Sequence, residues 1–156
     1  MKFAENTVVS VVKTKAELET LVTKAGATNF GVLNTDGGAT VAFIFKDRRI
    51  MFELKLPSPG AFSKPSRGWR PVPKEKQVAL HEQACRSGWR SLLLAIKAKL
   101  VTIDSGIETV DEAFLAHIVV PTDDGRTARF GTVAIKAIVD AYGGKGPPRL
   151  MLGAGS

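Results

Sequence analysis

Two histidines, His81 and His117, and a single cysteine, Cys85, are the side chains of this 156-residue chain best suited to exchange protons or act as nucleophiles near neutral pH. Neither histidine sits in a zinc-ligand frame such as H-E-x-x-H, and one cysteine cannot build a Cys-x-x-Cys pair. Asp111, Glu112 and His117 fall within two helical turns, a spacing from which a divalent cation or an activated water could be held. The same residues have a plainer use. Thr109-Val110-Asp111-Glu112 matches a capping box, and Asp111 would favour the positive end of the helix it opens. Lys145 lies among glycines but lacks the G-x-x-x-x-G-K-[ST] phosphate-loop frame. No catalytic residue, metal or cofactor is expected.

The cations are more informative. The chain carries 22 basic and 15 acidic residues, a net charge of +7. Between Lys64 and Lys99 stand nine basic residues against Glu75 and Glu82, so this window holds the whole excess and the rest of the chain balances. A neutral body with one basic segment is the electrostatic footprint of a polyanion-binding surface. Arg67-Gly68-Trp69-Arg70 pairs guanidinium groups with an indole, a combination able to hold phosphates while a base stacks. The alternative for Trp69 is that it folds back onto the core. Downstream, Arg86, Arg90 and Lys97 share one helical stripe with few acids beside it. An uncommitted surface helix more often mixes signs.

These residues need elements to position them. Thr7–Val12 is rich in β-branched residues and predicts a short strand; Thr14-Lys15-Ala16-Glu17 resembles a capping box opening a helix through Leu18, Leu21, Val22 and Ala25 to Gly26. Asn29–Asn34, Ala39–Lys46 and Arg49–Leu56 predict strands, with turns at Thr35–Gly38 and Asp47-Arg48. Their alternation gives a meander with one apolar face, which a helix must cover. Pro57–Pro73 holds five of the eight prolines and predicts a long loop. Lys74–Val101 predicts the long helix, its stripe of Val78, Cys85, Trp89, Leu92, Ile96 and Leu100 facing the sheet and making Trp89 and Cys85 core residues. Gly88 interrupts it, which suggests a close backbone approach. A short helix from the second capping box to His117 or Ile118, a turn at Pro121–Gly125 and a helix over Ala128–Tyr142 complete the order.

Two resemblances follow from these residues. Gly88-Trp89-Arg90-Ser91-Leu92-Leu93-Leu94 through Ile96-Lys97-Ala98-Lys99-Leu100, then Gly106-Ile107, Glu112-Ala113-Phe114-Leu115-Ala116-His117-Ile118-Val119 and the tail Pro147-Pro148-Arg149-Leu150-Met151-Leu152 resemble a family of small phage and prophage proteins. That likeness implies a phage setting and no mechanism. The meander followed by a basic helix, with Glu82 to Leu92, is similar in topology to the core of phage single-strand annealing proteins. There it implies a ring-forming protein whose hairpin and helix grip the phosphate backbone, with Arg48, Arg49, Arg86, Arg90 and Lys97 in the corresponding places.

The expectation is therefore an α+β domain over residues 1–142: a three- to four-stranded antiparallel meander covered by one long helix and two shorter helices. A Pro-rich basic loop at 57–73 interrupts it and a Gly/Pro-containing tail at 143–156 follows. Its expected function is non-enzymatic binding of nucleic acid, single-stranded DNA favoured, in phage recombination or replication, through Arg48, Arg49, Arg67, Trp69, Arg70, Lys74, Arg86, Arg90 and Lys97. A homo-oligomer fits this reading. The alternatives are a protein-interaction module acting on a host or phage partner, and a metal-dependent hydrolase. The absence of an apolar run of membrane-spanning length, of a signal-peptide core and of paired cysteines leads to the expectation of a cytoplasmic protein without membrane contact.

Overall fold

The computed structural model describes residues 7–65, 68 and 70–146. Alternation of apolar and polar residues produces the expected three-stranded antiparallel sheet: β1 (Thr28–Thr35), β2 (Gly38–Phe45) and β3 (Arg48–Lys55), in that spatial order. Val41 pairs with Phe52 and Phe43 with Ile50, so the large residues of β2 and β3 share a face. That face meets Leu18 and Val22 of helix α1 (Val11–Lys24), Trp89, Leu92, Leu93 and Ile96 of α2 (Lys74–Asp104), and Ala113 and Phe114 of α3 (Val110–Phe114) in one buried cluster. Phe114 is fully buried and stands edge-on to Phe43, Phe45 and Phe52 at 6.1–6.3 Å. Burying each such side chain stabilises the fold by about 1.5–3 kcal/mol, and edge-to-face packing adds specificity to that burial.

After α3, a 3-10 turn at Leu115–His117 leads into a short hairpin, β4 (Val119–Pro121) with β5 (Thr127–Arg129), and then into α4 (Phe130–Tyr142). The α+β class holds, with three shorter helices beside the long one among the described residues. None of these helices is long and apolar enough to cross a membrane. The tail residues Leu150, Met151 and Leu152 lie outside the described residues.

Several local expectations are corrected. Thr7–Val12 is not a strand. Ser10 caps α1, its hydroxyl accepting from the Lys13 amide, and Val11 already lies within the helix. Tertiary packing overrides β propensity here because Val11, Thr14, Leu18 and Val22 line up at helical spacing, the last three wholly buried. Thr14 is consequently an interior residue rather than a cap, and its buried hydroxyl has no hydrogen-bond partner among the described residues. The β2–β3 turn is Lys46-Asp47, one residue earlier than expected. Both residues adopt left-handed backbone (φ 46° and 62°), as the twist of a two-residue hairpin demands. The β4–β5 hairpin was not anticipated, since three-residue strands are too short to show alternation.

Along α2 the expected stripe is only partly core. Trp89, Leu92 and Ile96 are buried, joined by Leu93, while Cys85 is half-buried and Val78 is exposed. A 31-residue helix is about 46 Å long, whereas an eight-residue strand spans about 27 Å, so the first turns of α2 extend past the sheet. Gly88 marks where the two meet: a Cβ there would lie 2.8 Å from a terminal methyl of Leu56. Gly131 performs a tighter version of the same role, bringing α4 against the Ala116 backbone.

Candidate nucleic-acid interface

Because α2 overshoots the sheet, its N-terminal stripe lines open grooves instead of the core. Lys74, Val78, His81 and Cys85 recur at helical spacing on this stripe. One groove of about 300 Å³ is bounded by Pro59, Gly60, Lys74, Gln77, Val78 and His81. A second, of about 220 Å³, lies beside it and is lined by Ser10, Val11, His81, Glu82, Cys85 and Arg86. His81 is common to both and meets the Phe62 ring edge-on at 6.5 Å. The wall opposite α2 is Pro59 and Gly60 of a 3-10 turn, Pro59–Phe62, and the Gln77 side chain on α2 donates to the Val72 carbonyl at 2.6 Å. The Val72 amide in turn donates to the Ser63 carbonyl, closing at its base the loop that carries the basic motif.

The proposed contact residues fare differently. Lys74 lines the first groove and Arg70 is exposed in the loop that precedes it. Arg67 and Trp69 lie outside the described residues. Arg86 lines the second groove, its guanidinium donating to the Gln83 side chain at 2.6 and 3.2 Å with Glu82 at 3.9 Å. Arg90 is paired with Glu17 of α1, so this member of the basic stripe is half-buried and already neutralised. Lys97 is exposed and forms no ion pair with any described residue. Arg48 is held by Asp111, whereas Arg49 is exposed and sits opposite Ile44 in the sheet, on the face away from the core.

The seven described candidates therefore do not converge on one pocket. Lys74 and Lys97 are separated by about 35 Å of helix, and Arg48 belongs to the end of the sheet near α3. The exposed part of the surplus gathers at the start of α2, where Lys64 and Lys76 join Arg70 and Lys74, with Glu75 as the local acid. Neither lysine was among the expected nucleic-acid contacts, nor were His81 and Phe62. The Lys74, Val78, His81, Cys85 spacing carried a signal for His81, but which part of that stripe the sheet would leave uncovered was not legible.

Other titratable groups have structural occupations. The Cys85 thiol lies 3.6 Å from His81 Nε2, one helical turn earlier. Burial, and secondarily Glu82, pushes that thiol up, which keeps it protonated at neutral pH. Asp111, Glu112 and His117 do not assemble. Asp111 turns to Arg48; Glu112 completes the capping box on Thr109; His117 stacks on Phe52 with ring centroids 3.9 Å apart. Burial first, then Lys99 and Arg129, holds His117 below its ordinary value. Glu112 and His117 share a groove of about 310 Å³ with α4, but Asp111 does not line it. Among the described residues no group of three or more His, Cys, Asp or Glu side chains is placed to hold a metal ion.

No protein-family model, no curated protein and no solved structure matches this chain.

Proposed function

We propose that this protein binds single-stranded nucleic acid, DNA by preference, along the exposed face formed by the Pro-rich loop and the first three turns of α2. The observation that carries the reading is the run of exposed cations Lys64, Arg70, Lys74 and Lys76, without an ion-pair partner among the described residues, around the start of α2, where Lys74 lines a groove together with His81. In this reading phosphates are held by ammonium and guanidinium groups with release of counterions, and a base stacks on the His81 ring at the groove. Among the described residues no side chain caps the opening amides of α2, so the positive end of the helix dipole, offset in part by Glu75 in the first turn, adds to the same surface. Arg86 and Lys97 extend the track along the helix, while Arg48 and Arg90, engaged by acids, serve the fold first. The phage resemblance gives such an activity a setting in recombination or replication, with binding or annealing of strands and no bond made or broken.

The test is fluorescence anisotropy with labelled oligonucleotides. If four cations each neutralise one phosphate, affinity falls roughly fifty-fold between 50 and 200 mM salt. Replacing Lys74 and Lys76 with alanine then lowers the slope of log K against log salt by about 1.4. Absence of binding at low salt, or a slope untouched by the double substitution, rejects the reading.

A further inference from the structure

We propose that α4 is the contact surface for a second copy of this chain, pairing antiparallel with its counterpart across a two-fold axis. On α4, Ile135, Ile138, Val139 and Tyr142 are 60%, 50%, 62% and 92% exposed, although their spacing places all four on a single stripe. The adjoining side of the helix, through Phe130, Gly131 and Ala134, is turned toward Ala116 and His117 of the body, with Ile135 and Ile138 on the rim of the groove between them. The apolar surface of α4 therefore extends beyond the side turned to the body, and Ile135, Ile138, Val139 and Tyr142 are left at least half exposed. Leu115, also half-exposed, continues the open face beyond the helix, along the groove it shares with Ile135 and Ile138.

The occupant follows from the pattern and the area. The intervals along the stripe are three, one and three residues, which read the same in both directions. A two-fold axis between Ile138 and Val139 therefore brings the stripe onto itself, with Ile135 opposite Tyr142 of the partner subunit. The charged groups nearest the patch have partners already: Lys99 and Glu112, which line the groove beside Leu115, bond to the Ala113 carbonyl and to Thr109. Lys136 and Asp140 lie on the other side of the helix and bond to each other at 2.8 Å. At ordinary side-chain sizes the stripe and Leu115 leave on the order of 500 Å² of apolar surface per copy, about 1,000 Å² when two copies meet, the threshold for a specific interface. An apolar patch of this size is at the upper end of what a monomer shows.

This inference is independent of the nucleic-acid reading, and its test contains no nucleic acid. Sedimentation equilibrium of the full chain between 5 and 200 µM should show the average mass rising from 16.7 kDa toward twice that value. Val139→Lys should weaken dimerisation at least tenfold while leaving the circular dichroism spectrum unchanged, because Val139 is exposed in the single chain. Ile135→Lys and Tyr142→Glu should each give monomers, and an equimolar mixture of the two should recover dimers, since the new opposite charges face each other only in the antiparallel arrangement. A wild-type chain that stays monomeric throughout, a dimer that survives Val139→Lys, or failure of the mixed pair to associate each overturns the proposal.

Discussion

Arg48, at the start of β3, donates from Nε and Nη2 to the two carboxylate oxygens of Asp111, at 2.8 and 3.1 Å. The bidentate pair joins the β2–β3 turn to the first turn of α3, and α3 delivers Phe114 to the centre of the core. Both groups are close to solvent, so the contribution is a modest one that salt screens. Its use is orientation: a planar fork fixes the angle between the two elements as a single contact could not.

The first prediction concerns this pair and pH. The Arg48 guanidinium holds the Asp111 carboxyl below its ordinary value, so the folded state binds its proton less readily than the unfolded chain. Stability from the pair is therefore present above the unfolded carboxylate range near about 4 and is lost as pH falls through the lower folded value. Asp111→Asn should lower the urea midpoint at pH 7 but leave it equal to that of the wild type near pH 2. A gap that is undiminished in acid would mean the substitution acts through packing.

A second prediction separates two glycines that look alike in sequence. At Gly88 a new methyl meets the ends of two side chains, Leu56 at 2.8 Å, which can rotate away, and Leu54 at an ordinary 3.8 Å, and helix propensity gains about 1 kcal/mol in compensation. At Gly131 it meets the Ala116 carbonyl oxygen at 2.7 Å and its Cα at 3.2 Å, so backbone must move. Gly88→Ala should change unfolding free energy by less than about 0.5 kcal/mol, while Gly131→Ala should cost about 1–3 kcal/mol as α4 is pushed outward. Equal effects in denaturant titrations would contradict the packing described for α4.

The start of α1 supplies the third. Ser10→Ala removes the hydroxyl that accepts from the Lys13 amide and should cost about 1 kcal/mol. Thr14→Val should do the reverse, raising stability by about 1 kcal/mol, because it replaces a buried hydroxyl lacking a partner among the described residues with a methyl of similar shape. Were Thr14 the cap, the ranking would invert, and thermal melts of the two variants distinguish the cases.

Several patterns with a local cause survived folding, although the Thr14-Lys15-Ala16-Glu17 box did not, since Ser10 caps α1. The strands from Gly38 to Lys55 and the Thr109 capping box depend on neighbours a few residues away, and period-two alternation or a reciprocal hydroxyl–carboxylate bond is written in adjacent positions. The Thr7–Val12 segment failed for the converse reason: its β-branched composition is a weak preference, outweighed once Thr14, Leu18 and Val22 could be buried together.

The candidate site divides in the same way. Its charge surplus is a property of the chain and needs no fold, so the sequence alone determined that one segment from Lys64 to Lys99 is strongly basic. Which of those cations remain available is a long-range matter. Glu17 reaches Arg90 across 73 positions and Asp111 reaches Arg48 across 63, while the grooves around His81 exist because α2 outruns the sheet beneath it. Charge belongs to residue types and is countable in advance; pairing and exposure arise when distant segments exclude water together, and only the tertiary structure could assign them.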